Sequence, residues 1–599
     1  MPSDLDQVAV YADEEAAGLP VSSLEQVREW ISLVPFEPGM LLAAHIAAKS
    51  FGLLGDQRRQ LEFAESIYAP PIVDKLKAFL RREGPKAQLF AEQHALMLER
   101  ILIESAKDEG AAPAPLQQLE AAAVLRALLG CTGVANVALD RMREENPTVE
   151  DFMAVFLQNG AYNSKPMLMG EMARSVELFG RLAQRPELLP TRDKVCPLDE
   201  WMDEDYGFSI EEQLAIGFVL GAITQGFAPG QEAGEKPYVT PESVADVLDK
   251  MGLVDRREKF FDLVCGDRGR LQAEFADGGS GSEHVAWERR PLIRRPFLRL
   301  EDGGMLLFSP RSIQAWMGEG FYYRLLDAAQ RRSANDPKHK LSNQFTAYTG
   351  QLLEVYVLDL MRSAYPEAEN PLSGVRVYGE QPYGTGGQMR TSDVAVLIGG
   401  TDLVLIEVSA ARLRADTLVS ASTEDAAKDV ERMMLKKIRQ LDKCVTGLRS
   451  NRRRDRARIP ADNPEVDMNQ VTRIWPVLVT AGNITQNNAL WQHVATNSRG
   501  LLKQAGVQPM KLLDIEDYEV LCYLVEKGYG LNDVLAAVTS PQFLHRELAV
   551  WLRDDPSAPK DISGRPKRVV AIWEEAMDAI LSSIDFDKGS PDPTAPAAV

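Results

Sequence analysis

Two carboxylates stand on two apolar arms in Thr391–Ala411, TSDVAVLIGGTDLVLIEVSAA. Asp393 lies near the start of the first arm and Glu407 near the end of the second. An isolated buried charge is costly unless something compensates it. Side chains alternate along a strand, so Asp393, Ala395 and Leu397 share one face of the first arm. Leu403, Leu405, Glu407 and Ser409 share one face of the second. The loop Gly399-Gly400-Thr401-Asp402 turns the arms antiparallel and brings Asp393 across from the region of Glu407. Two carboxylates at that separation repel unless a cation lies between them. Mg²⁺ suits such a pair, because it takes oxygen ligands, keeps several waters and needs only one or two protein carboxylates.

A hairpin of this kind needs supporting elements. Phe345–Ala364 has the pattern of an amphipathic helix and Val375–Tyr378 that of a short strand. Ser392–Ile398 and Leu403–Ser409 form the hairpin itself. Glu424–Leu448 reads as a long helix and Trp475–Thr480, WPVLVT, as a further strand. Two more helices are expected at Asp514–Glu526 and Leu531–Val538.

This order of elements resembles the PD-(D/E)XK nuclease superfamily over about residues 341–480, a quarter of the chain. The resemblance implies a restriction-endonuclease-like α/β core with a mixed sheet. It implies that Glu354, within Gly350-Gln351-Leu352-Leu353-Glu354, joins Asp393 and Glu407 in holding Mg²⁺ or Mn²⁺. Glu407-Val408-Ser409 takes the place of the (D/E)xK tripeptide, and Gln440, within LKKIRQLDK, fits a glutamine that several branches carry on a later helix. The departure is Ser409, which stands where the family has lysine. A lysine there holds the attacking water and stabilises charge developing on the phosphate. In some members that lysine has moved to another element. Lys436 and Lys437 precede Gln440 by four and three residues, so either can share its side of a helix. Spacing does not separate them. Ser409 is then either a hydrogen-bonding group of the site or the small residue left where a site decayed.

The activity implied is metal-dependent hydrolysis of phosphodiester bonds, with DNA favoured over RNA as substrate. By analogy with bacterial proteins of this fused layout, it extends to antiviral defence against foreign DNA. The alternative is a catalytically inactive nuclease fold that binds nucleic acid or a protein partner.

Composition sets the frame. The chain has 599 residues, 45% hydrophobic and 26% charged, with a net charge of −20. Such acidity argues against a protein coated in nucleic acid. It is unevenly spread: residues 341–460 hold 17 Lys+Arg against 15 Asp+Glu. A basic stretch, NRRRDRAR, supplies Arg452, Arg453, Arg454, Arg456 and Arg458, read as a phosphate clamp or as a solvated loop. The expected fold class is α+β multidomain. Residues 1–275 are a mostly helical region, and 276–340 a linker with a β-hairpin and a helix, opening on ADGGSGSE. Residues 341–510 are the nuclease-like domain, 511–584 a C-terminal helical region and 585–599 a disordered tail. The acidic helical region is the expected seat of any protein partner. No run of about 18 apolar residues predicts a membrane span. The acidic start of the chain has no secretory pattern. Five scattered cysteines without a CxxC motif fit a reduced cytoplasm.

Overall fold

A computed structural model describes residues 9–53, 55–108, 116–144, 147–163, 168–189, 195–225, 237–277, 282–335, 340–366, 374–383, 389–450, 468–482, 484, 486–560 and 564–583. The loop arginines Arg452, Arg453, Arg454, Arg456 and Arg458, the tail 585–599 and residues 278–281 of the Gly/Ser stretch lie outside them. The chain is of mixed α/β class and divides into two units. One comprises 1–145, 199–325 and 575–599, the other 146–198 and 326–574.

The first unit is mostly helical among its described residues. Leu24–Ile31 starts with a capping box between Ser23 and Gln26. Ile210–Gln225 has the reciprocal bonds of the same device, Glu212 N to Ser209 Oγ at 3.2 Å and Ser209 N to Glu212 Oε2 at 2.9 Å. The expected hairpin forms as Phe297–Arg299 and Met305–Leu307. It belongs to a four-stranded sheet with Tyr238–Val239 and Cys265–Gly266. Phe297, Leu298, Met305 and Leu306 are fully buried there. The hairpin within the 276–340 segment thus contributes to the core of this unit through those four side chains. One stretch, Gln118–Asn136, is long and apolar enough to cross a membrane by length and composition. It carries Arg126, which stacks over Trp30 at 4.2 Å within this unit.

The second unit is organised by a five-stranded sheet. We label its strands β1 (Val375–Gly379), β2 (Val394–Ile398), β3 (Asp402–Ser409), β4 (Arg473–Thr480) and β5 (Lys511–Asp514). The spatial order is β5-β4-β3-β2-β1. The pairs β1–β2 and β2–β3 are antiparallel, whereas β3–β4 and β4–β5 are parallel. Central β3, DLVLIEVS, is buried along its whole length, as a strand covered on both faces must be. The turn before it places Gly399 and Gly400 at φ of 58° and 73°, a region that disfavours residues with a Cβ. Helix α1 (Leu341–Ala364) packs on β1, β2 and β3. The long helix runs over Thr423–Ser450 as α2 (Thr423–Val430), a π turn (Glu431–Leu435) and α3 (Lys436–Ser450).

The seam between sheet and α3 decides how the site is built. Ala395, Leu403 and Leu405 meet Leu441, Cys444, Val445 and Leu448 in one buried cluster. The helix α4 (Asn488–Asn497) and the helix Val149–Asn163 pack together in the same unit. Gln158 of the latter donates to the carbonyls of Leu418 and Val419 at 3.0 and 2.9 Å. The helix Val149–Asn163 therefore braces the segment that follows β3, and the sequence 341–510 forms only part of this unit.

At the other end of β3, Asp402 accepts from Trp475 Nε1 at 3.1 Å and pairs with Arg473 at 2.6 Å. These bonds clamp β3 to β4 at the start of their parallel register. Asp402→Ala leaves the buried indole N–H without an acceptor, at a cost of about 1–3 kcal/mol. The urea midpoint should fall with no change in the m-value; an unchanged midpoint refutes the clamp.

Candidate functional site

The register of the hairpin places the two acids. Val394 faces Ile406, so one step further Asp393 faces Glu407. Asp393 Oδ2 accepts from the Val408 backbone N–H at 2.7 Å, which pins it beside β3. The Glu407 carboxyl is within hydrogen-bonding reach of Asp393. Both side chains lie on the face that α3 covers.

Helical phase then selects the cation. Leu441, Cys444, Val445 and Leu448 form the seam, and one turn back the same stripe falls on Lys437. Lys437 Nζ lies 3.0 Å from Glu407 Oε2 and 3.5 Å from Asp393 Oδ2. Lys436 is exposed, as is Gln440. Of the two lysines that spacing left open, Lys437 is the one brought to the carboxylates. Gln440 is not brought into the pocket. Ser409 is buried two residues beyond Glu407, with its carbonyl accepting from Ala481 N at 2.8 Å.

Glu354 comes from α1. Two residues on, Tyr356 donates to the fully buried Glu519 at 2.9 Å, and Tyr518 donates to the Val357 carbonyl at 2.8 Å. Arg174 pairs with the same Glu519 at 2.7 Å. These buried bonds hold α1 in place. Glu380, one residue past β1, adds a fourth acid that sequence reasoning missed. It pairs with Arg390 at 3.6 Å and feels the charges of Asp393 and Lys437.

The electrostatics follow from burial. Burial, and then the charge of Asp393, push the Glu354 and Glu407 carboxyls up to about 8. Glu380 is raised too, first by burial. Burial alone would depress the Lys437 ammonium, but Asp393 and Glu407 outweigh it and hold it above the ordinary lysine range. The pocket therefore holds more carboxyl groups than one lysine can balance if all are ionised.

A pH dependence of stability results. Between an unfolded value near 4.5 and a folded value of about 8, the folded protein keeps a proton on Glu354 that the unfolded chain releases. Stability from this group is full below pH 4.5 and is lost as pH rises through 8. In chelator, Glu354→Gln should flatten the fall in melting temperature over that window; a profile identical to wild type refutes the assignment.

As to a metal, Mg²⁺ needs one or two carboxylates, and Asp393 with Glu407 supplies two within reach of each other. The excess of acid over base gives that pair a use for a further cation. Among the described residues no cluster of three or more His, Cys, Asp or Glu is arranged to hold a metal, so Glu354 does not close a three-ligand set with the pair. Compared with known proteins, the chain matches no family model, no curated protein and no solved structure.

Proposed function

We propose that the second unit is a metal-dependent phosphodiesterase of the PD-(D/E)XK type acting on nucleic acid, with DNA the favoured substrate. The observation that carries this reading is the approach of Lys437 to Asp393 and Glu407. It supplies, from a helix, the ammonium that Ser409 lacks. A mixed sheet with two antiparallel and two parallel pairings, flanked by α1 and α3, supports a restriction-endonuclease-like core.

In this reading Asp393 and Glu407 would hold Mg²⁺ or Mn²⁺, with Glu354 as a further acid of the pocket. The ion, when bound, lowers the pKa of water and neutralises phosphate charge. Lys437 orients the attacking water and meets the charge that develops on the phosphate. Ser409 sits on the same strand face as Glu407 and is buried. A role in defence against foreign DNA rests on analogy alone.

One observation favours a second reading. Lys437 already pairs with both acids, a charge arrangement that suits an inactive scaffold equally well. Incubating the full-length chain with single- and double-stranded DNA and RNA in Mg²⁺ or Mn²⁺ separates the two. Cleavage that Asp393→Ala and Glu407→Ala both remove supports the enzyme; equal products from wild type and variants overturn it.

A further inference from the structure

The helix that inserts Lys437 carries a second set of polar side chains on its outer side. Lys436, Gln440 and Lys443 are all exposed and follow one another at i, i+4 and i+7. At 100° per residue they fall within a stripe about 60° wide, and their span along the axis is about 10 Å. Arg439 flanks them, but its charge is taken by Glu431. Asp442 is turned away, accepting from Leu502 N at 2.8 Å and Gln504 Nε2 at 3.0 Å. Among the described residues neither Lys436 nor Lys443 has an acidic partner.

The charge is unusual for its setting. The chain as a whole carries −20, which repels a polyanion. Surface charges act over about a Debye length, roughly 8–10 Å, so what counts for a bound strand is the local balance. A helix with its side chains is about 10–12 Å across. Phosphates repeat about every 3.4 Å along one strand. The outer flank of α3 is therefore within reach of a strand about three nucleotides from a phosphate at Asp393 and Glu407.

We infer that Lys436, Gln440 and Lys443 form a track for the phosphate backbone of the substrate strand, on the same helix that delivers Lys437. This rests on the nuclease reading for the site and adds the path by which the strand leaves it. Lys436 and Lys443 each neutralise one phosphate, and Gln440 donates to the phosphate between them. Contacts of this kind position the strand without reading its sequence.

The test uses full-length Asp393→Ala protein, so that bound DNA stays intact, with labelled 30-nucleotide single-stranded and duplex probes. Affinity is measured against salt, with and without Lys436→Gln/Lys443→Gln. Loss of two phosphate contacts should lower the slope of log affinity against log salt by about 1.8 on duplex or 1.4 on a single strand. The same pair of changes in the wild-type background should raise KM and leave kcat within about twofold. Melting curves check that the exposed substitutions leave the fold intact. An unchanged slope overturns the track even if the protein cuts DNA. A reduced slope in a protein that never cuts keeps the track and overturns the nuclease reading. A folded protein that binds no probe overturns the track.

Discussion

Asp393→Asn and Glu407→Gln should each reduce Mg²⁺-dependent cleavage by about 10³-fold or more, close to 4 kcal/mol of transition-state stabilisation. The size follows from the geometry. The two acids face each other across β2 and β3, beside Lys437. Asn and Gln keep shape and hydrogen bonding but remove the charge that holds a divalent ion. The change should be in kcat, with binding of the strand retained. Both variants should fold, and because Glu407→Gln removes a buried acid that burial penalises, its melting temperature in chelator should hold or rise above pH 8. Activity within tenfold of wild type in either variant would remove the pair from the chemistry.

Lys437→Ala should lower kcat by about 10²–10³-fold, and Lys436→Ala by no more than about twofold. This contrast is the sharpest that the helix allows, since neighbouring residues on one turn are compared. Lys437 lies 3.0 Å from Glu407, whereas Lys436 is exposed. Lys437→Ala also leaves Asp393 and Glu407 facing each other without their counter-charge. Divalent ions should then stabilise the variant more than they stabilise wild type, read as the shift in melting temperature on adding Mg²⁺. Moving the amine to β3, in the double variant Ser409→Lys/Lys437→Ala, should restore part of the lost rate. Equal losses from Lys436→Ala and Lys437→Ala would show that the helix acts through general charge and not through a placed ammonium.

Much of this site could be read before any fold was known, and the reasons are local. The period of two in Asp393–Leu397 and Leu403–Ser409, closed by Gly399-Gly400, fixes which side chains share a face. The choice between the lysines was also within reach: the seam Leu441, Cys444, Val445, Leu448, carried back one turn, lands on Lys437. Spacing measured from Gln440 hid that, because Gln440 is not on the seam. β5 escaped notice because Lys511–Asp514 is four residues long and runs straight into a helix. Asp514 both ends the strand and caps that helix, accepting from Asp517 N at 2.8 Å, so only the helix stood out. Glu380 follows a short strand and has no pattern of its own. The place of residues 146–198 was beyond local reading, since Gln158 meets Leu418 across 260 residues.

The π turn at Glu431–Leu435 gives the segment after β3 a property that composition does not express. Upstream of it, buried Asp429 is keyed to Arg414 and Thr417 at 2.9 and 2.7 Å. Downstream, Lys437 and Leu441 are keyed to the sheet. A π turn holds one residue more than the α-helix it interrupts, about 100° of rotation. Two separate locks are therefore set on one rod, and the extra residue is what lets both close at once. The number of residues between Asp429 and Lys437 is itself part of the site: many substitutions there leave it untouched, while a change of length by a single residue must release one lock or the other.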